Sequence, residues 1–233
     1  MSSRLALFAF FLFVALMSLH LYLHTEQQHS RKDAWEVVEE DPPVARESTP
    51  NKLPQNGDII FQISQSSQSK AIQIATASRY SHMGIIYEKD GGLFVYEAVQ
   101  PVKLTPMNTW IKRGEKGHYV IKRLKDAEKI LTEKALLKMK EVGDKFMGKD
   151  YDLYFGWSDD KLYCSELVWK IYQRGVGIEI GQLERMSDLD LEDEIVRKKM
   201  KERYGNHIPM DEKVISPASM FDSEQLELVF RNE

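Results

Sequence analysis

Leu162-Tyr163-Cys164-Ser165-Glu166-Leu167-Val168-Trp169 holds the only cysteine of the 233-residue chain. Cys164, Leu167, Val168, Ile171 and Tyr172 follow at i, i+3, i+4, i+7 and i+8, the spacing of one buried helix face. Ser158-Asp159-Asp160 lies just upstream and Gly175 supplies a natural C-cap, so the helix is expected from about Cys164 to Gly175. Cys164 then sits in the first turn, where free amide hydrogens and the positive dipole end favour thiolate over thiol. A cysteine on an apolar helix face is more often an inert core residue than a nucleophile. The position alone therefore leaves both roles open.

A nucleophilic cysteine needs a base, and the base needs an orienting partner. Beyond the N-terminal region the chain offers His82, His118 and His207. His82 opens the apolar stretch His82-Met83-Gly84-Ile85-Ile86-Tyr87, where an imidazole is a poor choice for packing alone. A second stretch, Leu93 to Val99, follows through Asp90-Gly91, a common hairpin turn. Strand alternation puts His82, Gly84 and Ile86 on the same face as Val95, Glu97 and Val99. Gly84 leaves room on that face for another side chain. Glu97 interrupts an apolar run and would hold the imidazole tautomer if it faces the ring. A surface ion pair on a half-exposed sheet fits these two strands equally well.

The rest of the domain reads as α+β. Gly57-Asp58 is a turn pair opening a strand through Ile63, and Ser66 to Ala77 is a short helix. His118 to Leu124 is a strand, followed by one long helix from Asp126 to Met147 with Leu131, Ala135, Met139, Val142 and Phe146 on its buried stripe. Asp188 to Tyr204 is a charged helix, acidic at its start and basic at its end, and most simply a solvated face. Leu226 to Phe230 would close the sheet as a strand. Net charge is −4, without the basic footprint of a nucleic-acid binder. Neither repeats nor low-complexity tracts are present.

The N-terminus bears on the cysteine's environment. After Arg4, Leu5 to Leu23 carries no formal charge, a length near the lower limit for a bilayer core of roughly 30 Å. Ser18-Leu19-His20-Leu21-Tyr22-Leu23-His24 offers no small-residue cleavage site, so residues 1–24 read as an uncleaved signal anchor, with a cleaved signal peptide as the rival. Residues 25–56 are a polar, proline-broken linker in which Trp35 to Val38 could rest on a membrane. Residues 57–233 suit one domain with an ordinary core. A lone thiol in an exported protein is a buried filler, an intermolecular bridge or a reactive group.

Four stretches in this order resemble a known family: Gly57-Asp58-Ile59-Ile60-Phe61, Ser81-His82-Met83-Gly84, Tyr96-Glu97-Ala98-Val99 and Tyr163-Cys164-Ser165-Glu166-Leu167-Val168. They look like the YiiX-type hydrolases, a circularly permuted branch of the NlpC-like papain-fold superfamily in which the histidine strand precedes the cysteine helix. Gly148-Lys149-Asp150-Tyr151-Asp152 is similar to the superfamily's lead-in to that helix, with Asp150 where proline is usual. The resemblance implies a permuted papain-like fold, a small barrel-like antiparallel sheet with flanking helices. It also implies a Cys164–His82–Glu97 triad. His82 would take the thiol proton, the Cys164 amide would stabilise the oxyanion, and an acyl-enzyme would form and be resolved. Tyr163 would pack beside the nucleophile or line the substrate cleft.

Neither a cofactor nor a metal is expected: there is no His-x-x-x-His pair, and one cysteine excludes thiolate-rich zinc sites. The expected substrate is an amide bond of a cell-envelope molecule, a peptidoglycan peptide first and a lipid acyl ester or amide second, on the periplasmic side of a membrane. Lys112-Arg113-Gly114-Glu115-Lys116 mildly supports work near lipid, although a solvated loop is its simpler reading. A non-catalytic binding module with a retained cleft is the alternative of a different class.

Overall fold

Ile59–Ser64 (β1) is the buried centre of a six-stranded sheet, as its β-branched and aromatic run suggests. The computed structural model describes residues 53–232, so the expected anchor over Leu5–Leu23, the Trp35–Val38 turn and most of the linker lie outside the described residues. Beside β1 run His82–Lys89 (β2), Gly92–Glu97 (β3) and Lys103–Pro106 (β4) on one side. Gly114–Leu124 (β5) and, after two short ribbons (β6 to β9), Leu226–Arg231 (β10) lie on the other. All five pairings are antiparallel, and β4 and β10 form the open edges. The expected hairpin forms, with Lys89 opposite Gly92 across Asp90-Gly91.

The alternation of β1 sorts two cores. Ile59 and Phe61 join Met83, Ile85 and Val120 on one face, and Ile60 joins Ile86, Val95 and Ile121 on the other. The first face is covered by the cysteine helix, through Leu167, Val168, Ile171 and Tyr172. Tyr172 also donates its hydroxyl proton to the Gly57 carbonyl. The second face is covered by Trp110 and Met107 of the helix Met107–Arg113. Asp58, read from sequence as a turn residue, is buried and takes the Arg123 guanidinium on both oxygens, at 2.7 and 2.8 Å.

Four expected boundaries are corrected. The helix over Ser66–Ala77 is shorter, Ser69–Ala75 (α1). The helix from Asp126 to Met147 is two, Ala127–Ile130 and Glu133–Asp144, because Leu131 leaves helical geometry and Thr132 caps the second helix by accepting from the Ala135 amide. The charged helix begins at Glu194, with Asp193 as its N-cap, and runs to Tyr204 (α6, with Met107–Arg113, Ala127–Ile130 and Glu133–Asp144 as α2, α3 and α4). The cysteine helix, α5, runs Cys164–Val176, and its left-handed cap is Gly177 rather than Gly175.

Gly175 instead marks a close helix crossing. A Cβ there would lie 2.6 Å from Met139 Cγ and 3.0 Å from Met139 Cα. The Gly175→Ala substitution must push the two helices apart, with an expected cost of about 1–3 kcal/mol in urea unfolding. An unchanged midpoint would show that the crossing has slack.

Candidate active site

The strand period places one part of the site. His82 is the first residue of β2 and Glu97 the last of β3, and the Ile86–Val95 pairing puts both on one face of the hairpin. Gly84 makes that meeting possible: a Cβ on it would lie 2.5 Å from Val95 Cγ1, 2.7 Å from the Tyr96 carbonyl oxygen and 3.4 Å from Glu97 Cβ. His82 Nε2 and Glu97 Oε2 are 2.6 Å apart, and the carboxylate is wholly buried. The alternative of an exposed surface pair is thereby removed.

Glu97 is held from every side. Its Oε1 accepts from Thr105 Oγ1 at 2.6 Å. Its Oε2 accepts from Trp110 Nε1 at 2.9 Å and from the Arg113 guanidinium at 2.5 Å. The Trp110 ring also stacks near the imidazole, with centroids 5.9 Å apart and planes 25° from parallel. None of these three partners was singled out for this role by the sequence. Pro106 at the edge of a short amphipathic run was the available signal for the helix that carries Trp110 and Arg113, since proline favours helix starts. The basic run at Lys112 is accordingly no loop: Lys112 and Arg113 end a helix, and Gly114 opens β5.

The helix supplies the thiol. Cys164 is the first residue of α5 after the N-cap Tyr163, and it is 3% exposed. It lies close enough to His82 for sulfur and imidazole to interact, and that interaction raises the His82 pKa. With Nε2 taken by Glu97, Nδ1 is the ring nitrogen left for sulfur. Burial pulls the His82 pKa down, but the hydrogen bonds and charge attraction to Cys164 and Glu97 outweigh it and hold the imidazole at about 9. Burial pushes Glu97 up, yet His82, Thr105 and Arg113 hold its carboxyl at about 2. At neutral pH the ring is thus a cation flanked by Glu97 and the sulfur.

The helix start is pinned by buried charge. Glu166 Oε2 accepts from the Tyr163 amide at 3.3 Å, and Glu166 Oε1 meets Lys170 Nζ at 2.7 Å. Lys170 also donates to the Ser158 carbonyl and to Asp159, tying the lead-in loop to the helix. Tyr163 is buried, and its hydroxyl accepts from the Ile215 amide at 3.1 Å, so it packs as expected while also lining a cavity. His118 stacks against Tyr80, and neither it nor His207 is brought to Cys164.

Two recesses meet here. A narrow apolar cavity reaches Cys164, and an open polar groove runs past His82 and Arg113. Their shared wall is Lys199 and a hydrogen-bonded trio in which Gln68 donates to the Tyr151 hydroxyl at 2.8 Å and Arg203 donates to Gln68 at 2.9 Å.

A cysteine opening a helix, behind a hairpin that carries histidine and carboxylate, defines a cysteine-dependent hydrolase of papain-like fold with its histidine strand placed first. The chain belongs to the permuted papain-like amidase family YaeF/YiiX, C92, whose model matches residues 53–230. It is 48% identical over 176 residues to the uncharacterized protein YiiX of Escherichia coli strain K12, spanning 76% of this chain and 86% of that protein. The crystal structure of metalloprotein YiiX from Escherichia coli O157:H7 matches with a TM-score of 0.73 at 48% identity, over 77% of this chain and 98% of that one.

That protein is described as a metalloprotein. Among the described residues of this chain, no three His, Cys, Asp or Glu side chains are grouped to hold one. The Glu97 oxygens are already occupied by four protein donors. The donor set does not fit a metal site.

Proposed function

We propose that this chain is a cysteine amidase that cleaves an amide bond of a cell-envelope molecule through an acyl-thioester on Cys164. The observation that carries the proposal is His82, bonded at 2.6 Å to a buried, ionised Glu97 and interacting with the sulfur of Cys164 at the start of α5. Sulfur attacks the carbonyl carbon, and the oxyanion is met by the Cys164 amide, one of the helix-start N–H groups without an intrahelical acceptor. The imidazolium gives its proton to the leaving nitrogen as the C–N bond breaks. His82 then takes a proton from water, which attacks the thioester, and the acid departs as the thiol re-forms. Glu97 stays ionised throughout, orienting the ring and stabilising its charge.

The envelope setting rests on the apolar Leu5–Leu23 segment, proposed as an export signal that leaves the domain on the outer side of a plasma membrane. Among the described residues no helix is long and apolar enough to cross a membrane. Incubation with envelope extracts, acid quenching and mass analysis should reveal an acyl group on Cys164 that is absent from Cys164→Ala. A full-length chain that alkylates normally yet acquires no adduct would instead be a binding module.

The His82 charge fixes a pH profile. The acid form of the ring is needed for the leaving group, so kcat/KM should fall about tenfold per pH unit above about 9. Glu97→Gln removes an anion that raises this pKa, so the falling limb should move to lower pH, with kcat reduced about 10- to 100-fold. An unmoved limb in Glu97→Gln would show that this carboxylate does not orient the base.

A further inference from the structure

The cavity on the sulfur side of the site has a definite chemistry. It runs from Cys164 between α1 and α6, and its walls include Ala71, Ala75, Leu191, Val196 and Met200. About 80 Å³ of it admits the centre of a water molecule. That is room for several waters in a row. A methylene has nearly the volume of a water, so a short run of methylenes would fill the same space.

Away from the border with the groove, where Gln68, Tyr151, Lys199 and Arg203 line both recesses, its polar side chains are not free to meet a polar guest. Ser165 Oγ donates to the Ile215 carbonyl, and Tyr163 Oη accepts from the Ile215 amide. Ser216 Oγ accepts from the Ser219 amide and bonds Glu184. The buried side-chain polar atoms without partners among the described residues belong to Gln62, Tyr87, His118 and Trp169, none of which lines this cavity. A peptide segment would bring an N–H and a C=O per residue into a place with no partners for them, at a cost of about 1–3 kcal/mol each. An alkyl chain brings none. The open groove on the His82 side contrasts with it, lined by Gln65, Ser67, Gln100, Lys112, Arg113 and Arg203.

We infer that the acyl half of the substrate is an unbranched apolar chain of medium length, seated in the cavity behind Cys164, while the polar leaving amine lies in the groove beside His82. The inference rests on Cys164 being the nucleophile and adds the identity of the acyl group. The substrate is then an N-acylated polar amine of the lipid type, not a muropeptide. Attack by sulfur transfers the chain to Cys164 with release of the amine, and water later releases the fatty acid.

Acylation by p-nitrophenyl esters tests this on the full chain, read by p-nitrophenol release and by the intact mass of the Cys164 adduct. The probes are the acetyl, octanoyl and palmitoyl esters and the ester of N-acetyl-alanyl-alanine. Each buried methylene is a gain of about fourfold, and after the cost of ordering the chain octanoyl should acylate about 50-fold faster than acetyl. Palmitoyl should not exceed octanoyl, because its chain outruns the cavity. Val196→Phe should cut the octanoyl-to-acetyl ratio below about fivefold. Met200→Ala, which enlarges the cavity, should move the optimum towards longer chains, so the test does not depend on the larger residue fitting. A ratio near one, or the peptidyl ester reacting fastest, would overturn the acyl-chain assignment while leaving Cys164 as the nucleophile. A chain that no ester acylates at Cys164 would overturn both.

Discussion

Cys164→Ala and His82→Ala should each lower kcat/KM about 10⁴-fold or more, and the double variant should fall little further. The reason is that the two groups work as a pair: sulfur without its imidazole partner lacks the base and the acid, and the imidazole without sulfur has nothing to activate. Residues that act as one unit give non-additive losses of this kind. Neither change should unfold the protein, because the sheet face beneath His82 is held by Trp110, Ile86 and Val95, and the cysteine helix is held by Leu167, Val168, Ile171 and Tyr172. Additive losses in the double variant would mean that Cys164 and His82 work in separate steps.

The second large effect is on stability. Lys170 is 1% exposed and Glu166 wholly buried, and they meet at 2.7 Å one turn into the cysteine helix. Burial pushes the Glu166 carboxyl up to about 7 even with Lys170 pulling it down. Lys170→Met leaves that carboxylate buried without its cation and frees the Ser158 and Asp159 tethers. Breaking one side of a buried pair costs about 3–5 kcal/mol. At 2–4 °C per kcal/mol for a domain of this size, Tm at pH 8 should fall by about 6–20 °C. Adding Glu166→Leu should recover much of the loss, since the stranded charge is gone. A Tm within about 2 °C of the parent would show that water reaches the pair.

Local periodicity made the heart of the site legible. The i, i+3, i+4 spacing placed Cys164 in the first turn of a helix, and period-two alternation across Asp90-Gly91 put His82 and Glu97 on one face. What periodicity does not carry is tertiary choice. Gly175 looked able to end the helix, but it is the point where Met139 packs against the helix, and the cap falls at Gly177. Leu131 fitted a single helical stripe, yet Thr132 offered a cap that split the helix in two. Arg113 and Trp110 reach Glu97 from a segment whose sequence shows charge and apolarity but not where the chain folds back. The apolar cavity is assembled from α1, α6 and the residues around Val214, which are far apart in the chain, so no local pattern announces it.

The central claim is that a cysteine only 3% exposed is a reactive partner of His82 rather than inert filling. Alkylation by iodoacetamide at pH 7, followed by mass mapping of Cys164, tests it without knowledge of the substrate. The folded chain should be alkylated at least about tenfold faster than glutathione, and His82→Ala should slow the reaction by about tenfold or more, because the imidazole is the base that activates the sulfur. Labelling that appears only after denaturation, or that is indifferent to His82, would return Cys164 to the core and contradict the account.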